Sequence, residues 1–367
     1  MNYLTIDIWS YICQFISNNK IKCRLLMTCR EISRYDFSFC SPIKINKIMK
    51  SRWFHHFTNI VTDRNISRYP KRITHLKFSD DFNRQIKTKL PTTITHLEFG
   101  NRFNRELLGI IPNIIEKIHN KKSHYFYSYS KIPLSVKYLK FGNRFNQDLG
   151  FVLHSGLTHL IFGNNFNQLI DNDIPSTVTH LAFGIDFNQP IDGCLPSSIT
   201  HLTFGMSFNE PVIGNIPPAV KYLEFGYSFY QDISNAIPTS VTHLVFKFYH
   251  FMFYHNNIPS SVTNLTIYAS YTYSFAGYGP CLPESITHLT LGSRVDKSIL
   301  YHIPSSVIHL TLGFYFNHPI HDNIPKTVKY LNVCRNYQYP IKVDHSVTIN
   351  LYDIYNERQW NNNLMIT

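Results

Sequence analysis

The amino-acid sequence predicts a solenoid of about thirteen coils, with 21 residues and one parallel strand in each coil. A leucine or isoleucine recurs every 21 residues, with a single step of 24. A proline stands six residues before that site in twelve units. The apolar column is Leu76, Leu97, Ile118, Leu139, Leu160, Leu181, Leu202, Leu223, Leu244, Leu265, Leu289, Leu310 and Leu331. A fixed period in the low twenties is typical of stacked repeats that share one elongated core.

The strand of each coil is indicated by alternation. If Ile94 is position 1 of a unit, Leu97 is position 4 and Phe99 is position 6, and the residues at positions 3 and 5 vary. This period of two predicts a strand with one face toward the core. Because each coil returns the chain to the same edge, the strands must be parallel. Most units carry phenylalanine at position 6, which predicts a stacked aromatic spine.

Three further columns predict the turns. Position 7 is mostly glycine, which we expect to end the strand where the backbone turns. Position 11 is asparagine in seven units, and its amide is expected to bond turn backbone groups in a buried ladder. Position 19 is proline, which ends strand pairing and fixes the bend into the next coil.

The first seventy residues are organised differently. Leu4, Ile8, Ile12 and Ile16 recur every four residues and, with Trp9, form one face of a predicted amphipathic helix. A second helix is predicted over residues 20–30. Residues 1–41 are either a separate helical domain or a helical cap on the first coil. We expect residues 42–69 to connect and cap the solenoid, residues 70–345 to form it, and residues 346–367 to be a C-terminal cap or tail.

The N-terminal helices resemble an F-box. Leu4-Thr-Ile-Asp-Ile-Trp, then Ile12 and Ile16, and later Leu25-Leu26 with Cys29-Arg30, follow its pattern. Thr5 replaces the usual proline and Asp7 the usual glutamate. The resemblance implies that Leu4, Ile8, Trp9, Ile12 and Ile16 dock the Skp-type linker subunit of a cullin-based ubiquitin ligase.

The repeat, with its Phe-Asn and Ile-Pro pairs, resembles the FNIP repeat, a relative of the leucine-rich repeats. An F-box joined to FNIP repeats is similar to families in giant amoeba viruses and social amoebae. The resemblance implies a non-catalytic adaptor that holds a target protein for ubiquitination. The alternative is a repeat scaffold that binds a protein without any ligase.

Composition sets further bounds. The net charge is +12, and residues 1–70 hold 11 Lys and Arg against 4 Asp and Glu. Nucleic-acid binding would depend on that stretch alone, and no base-reading element accompanies it. The seven cysteines are scattered without a Cys-x-x-Cys pair, which favours reduced thiols in the cytoplasm (of the host, if the protein is viral) or the nucleus. No membrane span or secretion signal is expected.

The sequence predicts no catalysis, cofactor or metal site. No Ser-His-Asp order, phosphate-binding glycine loop or paired carboxylate recurs. Position 3 forms a histidine column, which we expect to face solvent as a structural repeat feature. No carboxylate or cysteine recurs beside it to complete a metal site. Its members are His75, His96, His159, His180, His201, His243, His288 and His309.

The repeat breaks in three aromatic segments, each just after a predicted strand. Local drift in a tolerant repeat would explain them. The functional hypothesis is that they are protein-binding anchors, because aromatic residues dominate interface hot spots. The candidate residues are Tyr125, Tyr127, Tyr129, Phe251, Phe253, Tyr271, Tyr273 and Phe275.

Overall fold

A computed structural model describes residues 21, 38–110, 128–150, 152–171, 173–248, 258–269, 282–292, 295, 297–314, 316, 318–320 and 324–353. Contacts divide the chain into two units, residues 1–166 and residues 167–367, and each is treated by itself. The five F-box candidates Leu4, Ile8, Trp9, Ile12 and Ile16 lie outside the described residues. No helix in the described part of the chain has the length and apolarity needed to cross a membrane.

The described part of the first unit contains eight strands and two short 3₁₀ helices, Ile45–Lys47 and Phe54–His56. The strands are β1 (Ile43–Lys44), β2 (Asn59–Thr62), β3 (His75–Phe78), β4 (His96–Glu98), β5 (Leu108–Ile110), β6 (Ser128–Ser130), β7 (Tyr138–Lys140) and β8 (His159–Ile161). A parallel sheet runs β1-β2-β3-β4-β7-β8. The strands β5 and β6 form a separate antiparallel pair.

The second unit is a parallel sheet in strict chain order, from β9 to β17. Its strands are β9 (His180–Ala182), β10 (His201–Thr203), β11 (Tyr222–Phe225), β12 (His243–Phe248), β13 (Asn264–Ala269), β14 (His288–Leu291), β15 (His309–Leu312), β16 (Tyr330–Cys334) and β17 (Thr348–Tyr352). A 3₁₀ helix, Lys297–His302, lies between β14 and β15. Both units are parallel β-solenoids, as the 21-residue period predicts.

The core follows the predicted columns. Leu97, Leu181 and Leu202 are all buried, and Leu202 pairs in register with Leu181. The phenylalanines of position 6 stack from coil to coil, for example Phe204 on Phe225 at 5.7 Å between ring centroids. A second spine runs along position 10, and Phe208 lies 3.9 Å from Phe204 in the same coil. Each coil therefore contributes a pair of rings, which bury apolar surface on both sides of the turn after the strand.

The prediction of thirteen repeat coils is wrong by one. Strand β4 pairs directly with β7, so Leu97 lies beside Leu139, 42 residues later. The column member Ile118 lies outside the described residues, and no described strand stands between these two. The reason is visible in its unit, because positions 6 and 10 are the polar residues Asn120 and His124 instead of phenylalanine. Without these two rings the unit cannot extend either spine, and twelve repeat coils remain.

The glycine of position 7 is required by close packing, which corrects the expected reason. A Cβ on Gly205 would lie 1.6 Å from the carbonyl oxygen of Gly184, and one on Gly100 would lie 2.0 Å from that of Ser79. Positive φ occurs elsewhere in the coil, at position 16, in Gly193, Gly214 and Asn235. Only a residue without a side chain lets successive coils approach this closely.

The asparagines of position 11 form the expected ladder, but it is half-buried and joins different coils. The side-chain oxygen Oδ1 of Asn167 accepts the backbone N–H of Asn188 at 2.9 Å. Asn188 in turn accepts from Asn209 at 2.8 Å, and Asn209 accepts from Tyr230 at 3.0 Å. The ladder replaces strand pairing along the edge where the coils turn away from the sheet.

Candidate functional site

The outward face of the sheet carries the position 3 column as stacked rings. The ring centroids of His75 and His96 are 4.0 Å apart, and those of His180 and His201 are 4.2 Å apart. These rings lie on the outward face, as the sequence led us to expect, but they are half-buried. Parallel strands only about 4.8 Å apart force neighbouring rings together, so each ring shields the next from water.

Threonine hydroxyls fix these rings. In seven coils the Oγ1 atom of the preceding threonine lies 2.8 to 2.9 Å from Nδ1 of the histidine. Burial lowers the pKa of His75, His96, His159, His243 and His288. Within the described residues no group of three or more metal-ligating side chains forms. The column is therefore a hydrogen-bonded structural ladder.

A polar network interrupts this ladder on β11 and β12. Tyr222 donates its hydroxyl to Oε2 of Glu224 at 2.6 Å, and Lys247 pairs with Oε1 of the same carboxylate. Tyr222 and Glu224 are both buried. Burial and the adjacent carboxylate charge raise the pKa of Tyr222 well above its usual range. The network thus places a fixed, partnered ion pair on the outward face of the second unit.

Two consecutive coils lack the close-packing glycine, and this accounts for the network. Position 7 is Lys247 on β12 and Tyr268 on β13. Without glycine at position 7, both strands extend to six residues. Our sequence analysis missed these residues, although the gap in the glycine column was a visible signal. Tyr268 also lies over Gly292, where an added Cβ would be 2.1 Å from its ring atom Cδ1.

The predicted aromatic anchors are only partly located. Tyr129 belongs to β6 of the first unit. The other seven (Tyr125, Tyr127, Phe251, Phe253, Tyr271, Tyr273 and Phe275) lie outside the described residues. The neighbouring strands β12 and β13 pair at their ends, Phe248 with Ala269. The last described residues before these two segments are therefore neighbours in the sheet.

Comparison with known proteins agrees with this geometry. The family model described as FNIP Repeat matches residues 69–101, 85–119, 130–165, 151–186, 166–207, 187–215, 208–249 and 279–315. The chain belongs to the FNIP repeat family. The FNIP matches leave out residues 120–129 and 250–278, which contain all eight predicted aromatic anchors. These segments are therefore departures from the family repeat.

Among solved structures, the FNIP chain is similar to CroV588, described as a novel circular LRR protein, with 32% sequence identity and a TM-score of 0.60. The likeness covers 81% of this chain and 43% of CroV588, so this chain spans less than half the length of that protein. A leucine-rich-repeat-containing protein, LegL7 from Legionella pneumophila, is 16% identical with a TM-score of 0.33, over 55% of this chain and 85% of LegL7. No curated protein matches the chain.

Proposed function

We propose that this FNIP protein is a non-catalytic adaptor that binds a target protein on the outward face of β11–β13. The observation that carries the proposal is the Tyr222–Glu224–Lys247 network. It lies on β11 and β12, and the FNIP matches leave out the aromatic segment that follows β12 in the chain. A repeat selected only for stability would retain the glycine at position 7, because it allows the closest packing of the coils.

The network has the properties of a recognition feature. The side chain of Lys247 is 26% exposed and that of Glu224 is 11% exposed, so the cation is accessible while its partner is held. A fixed charge costs little entropy on binding and rejects partners that cannot pair with it. Aromatic residues next to such a charge would supply the apolar contact area of an interface.

The test uses capture of a target from an amoebal cytosol. Glu224→Gln, which removes the charge that holds Lys247, should weaken target capture. Glu98→Gln is the matched control, because Glu98 also occupies position 5 and pairs with a lysine, Lys77, at 3.4 Å on an exposed part of the face. Equal capture by both variants, with unchanged circular dichroism, would refute the site.

The aromatic segments are tested separately. Replacing Tyr271, Tyr273 and Phe275 with serine should abolish capture of the same target if these residues are interface anchors. The triple variant must keep the melting temperature of the parent chain. Undiminished capture by such a folded variant would leave only drift of a tolerant repeat as the explanation of that segment.

We further propose that the N-terminal residues dock a Skp-type linker subunit and its cullin. The support is the F-box resemblance of Leu4, Ile8, Trp9, Ile12 and Ile16. Co-purification of the linker subunit with the parent chain, and its loss in a Trp9→Ala, Ile12→Ala variant that still captures the target, would support a ligase adaptor. Target capture without any linker subunit would favour the alternative, a ligase-independent scaffold. We expect either activity in the cytoplasm, or in the nucleus.

A further inference from the structure

Among the described residues, nothing covers the core of the second unit at its last strand, β17. Ile349 and Leu351 of β17 pair in register with Leu331 and Val333 of β16. These partners are at most 1% exposed, whereas Ile349 is 40% and Leu351 is 53% exposed. Both residues occupy the inward positions 4 and 6. The last strand therefore presents core side chains to solvent.

The first unit, taken by itself, differs at its N-terminal end. In the first unit Phe39, Ile45, Phe54 and Phe57 are all buried, at 3% exposure or less. The rings of Phe39 and Phe57 stack at 4.4 Å. These residues precede the first repeat coil and close its core. Among the described residues, this part of the first unit presents no pair of exposed core side chains comparable to Ile349 and Leu351.

The free edge of β17 is suited to strand addition. Among the described strands, β17 pairs only with β16. Its sequence is Thr-Ile-Asn-Leu-Tyr, with no charge and no proline. Natural edge strands usually carry lysine, proline or a bulge, which prevent another strand from pairing. None of these protections is present here.

We propose that a second copy of this chain covers this end, with the two β17 strands antiparallel about a two-fold axis through Asn350. That axis is perpendicular to the sheet, so both copies keep the same inward face. Ile349 of one copy then lies opposite Leu351 of the other, and the two cores join. Such an isologous contact uses the same surface on both copies, so assembly stops at a dimer.

The expected affinity is modest. A strand of five residues spans only about 17 Å, and stable interfaces usually bury about 800 Å² on each partner. We therefore expect a dissociation constant on the order of micromolar. Sedimentation velocity of the full chain between about 1 and 100 μM should show monomer converting to dimer without larger species.

The deciding variant is Leu351→Glu, which places two like charges beside the two-fold axis and should raise the dissociation constant at least ~10-fold. Leu169→Glu is the matched control, because Leu169 is 54% exposed elsewhere in the unit, and it should leave the constant within ~2-fold. An Asn350→Cys variant gives an independent measurement. Opposed residues of antiparallel strands lie about 5 Å apart, within disulfide range, so mild oxidation should link the dimer beyond the level of the parent chain.

Four outcomes would overturn the proposal. They are a monomer at every concentration, growth beyond the dimer, a dimer equally weakened by both glutamate variants, and no added crosslinking at position 350. A variant that lacks residues 354–367 tests whether β17 is covered by a second copy or by the chain's own C-terminal tail. If the full chain is monomeric and dimerises only after this deletion, its own tail covers the end instead.

Discussion

The sharpest prediction concerns two glycines that serve different purposes. Replacing Gly205 with alanine puts a Cβ 1.6 Å from the carbonyl oxygen of Gly184, although real Cβ contacts stay beyond 3.0 Å. The two coils would have to separate by at least ~1 Å. That movement would break the hydrogen bond from Ser207 N–H to the Ile185 carbonyl, now 2.8 Å. Overpacking costs about 1–3 kcal/mol and the lost bond about 1 kcal/mol, so we expect a loss of roughly 3 kcal/mol.

Gly214→Ala is the comparison variant. Gly214 has a φ of +76° and no atom within 4 Å of an added Cβ. Its substitution costs only the left-handed backbone strain of about 1 kcal/mol. Urea unfolding, followed by circular dichroism, measures the stability of both glycine variants. Their unfolding midpoints are compared, because long repeat arrays depart from two-state behaviour. With a slope near 2 kcal/mol per molar, the midpoints should differ by about 1 M. An equal or larger effect of Gly214→Ala would refute the close-packing explanation.

Three other predictions concern the ladders and the network. Asn188→Ala removes the acceptor of the Asn209 N–H and should lower the free energy of unfolding by about 1 kcal/mol, measured by urea titration. Glu224→Ala leaves Lys247 without its partner on a mostly buried face and should cost about 3 kcal/mol, whereas the double variant with Lys247→Met should recover much of it. Five histidines of the column have folded-state pKa values below the unfolded value of about 6.5, so the unfolded chain binds more protons in acid. They are His75, His96, His159, His243 and His288. Their stabilisation is complete above that pH and is lost as pH falls through the lower folded pKa values. The melting temperature should therefore drop between pH 7 and pH 5, and His96→Tyr should reduce the drop.

The network and the open end share one cause, which is a local departure from the repeat. Lys247 stands where other coils have glycine, and β17 follows β16 after 18 residues instead of 21. At Lys247 and on β17, repeat positions that pack one coil against the next elsewhere are free to contact a binding partner. The proposed target site and the proposed dimer contact therefore both lie at local departures from the 21-residue pattern.

The sequence by itself determined the coil. Its period places Leu97, Leu181 and Leu202 at one inward position. The strands are parallel because every coil returns the chain to the same edge of the sheet. The tertiary structure decided which residues at different repeat positions contact each other. The pairing of Glu224 at position 5 with Lys247 at position 7 of the next coil leaves no periodic trace. The exposure of Leu351 depends on whether another strand follows. The period of the sequence predicts how a residue packs against residues at the same position in neighbouring coils. Contacts between different positions, and the ends of the stack, are determined only when the coils are assembled.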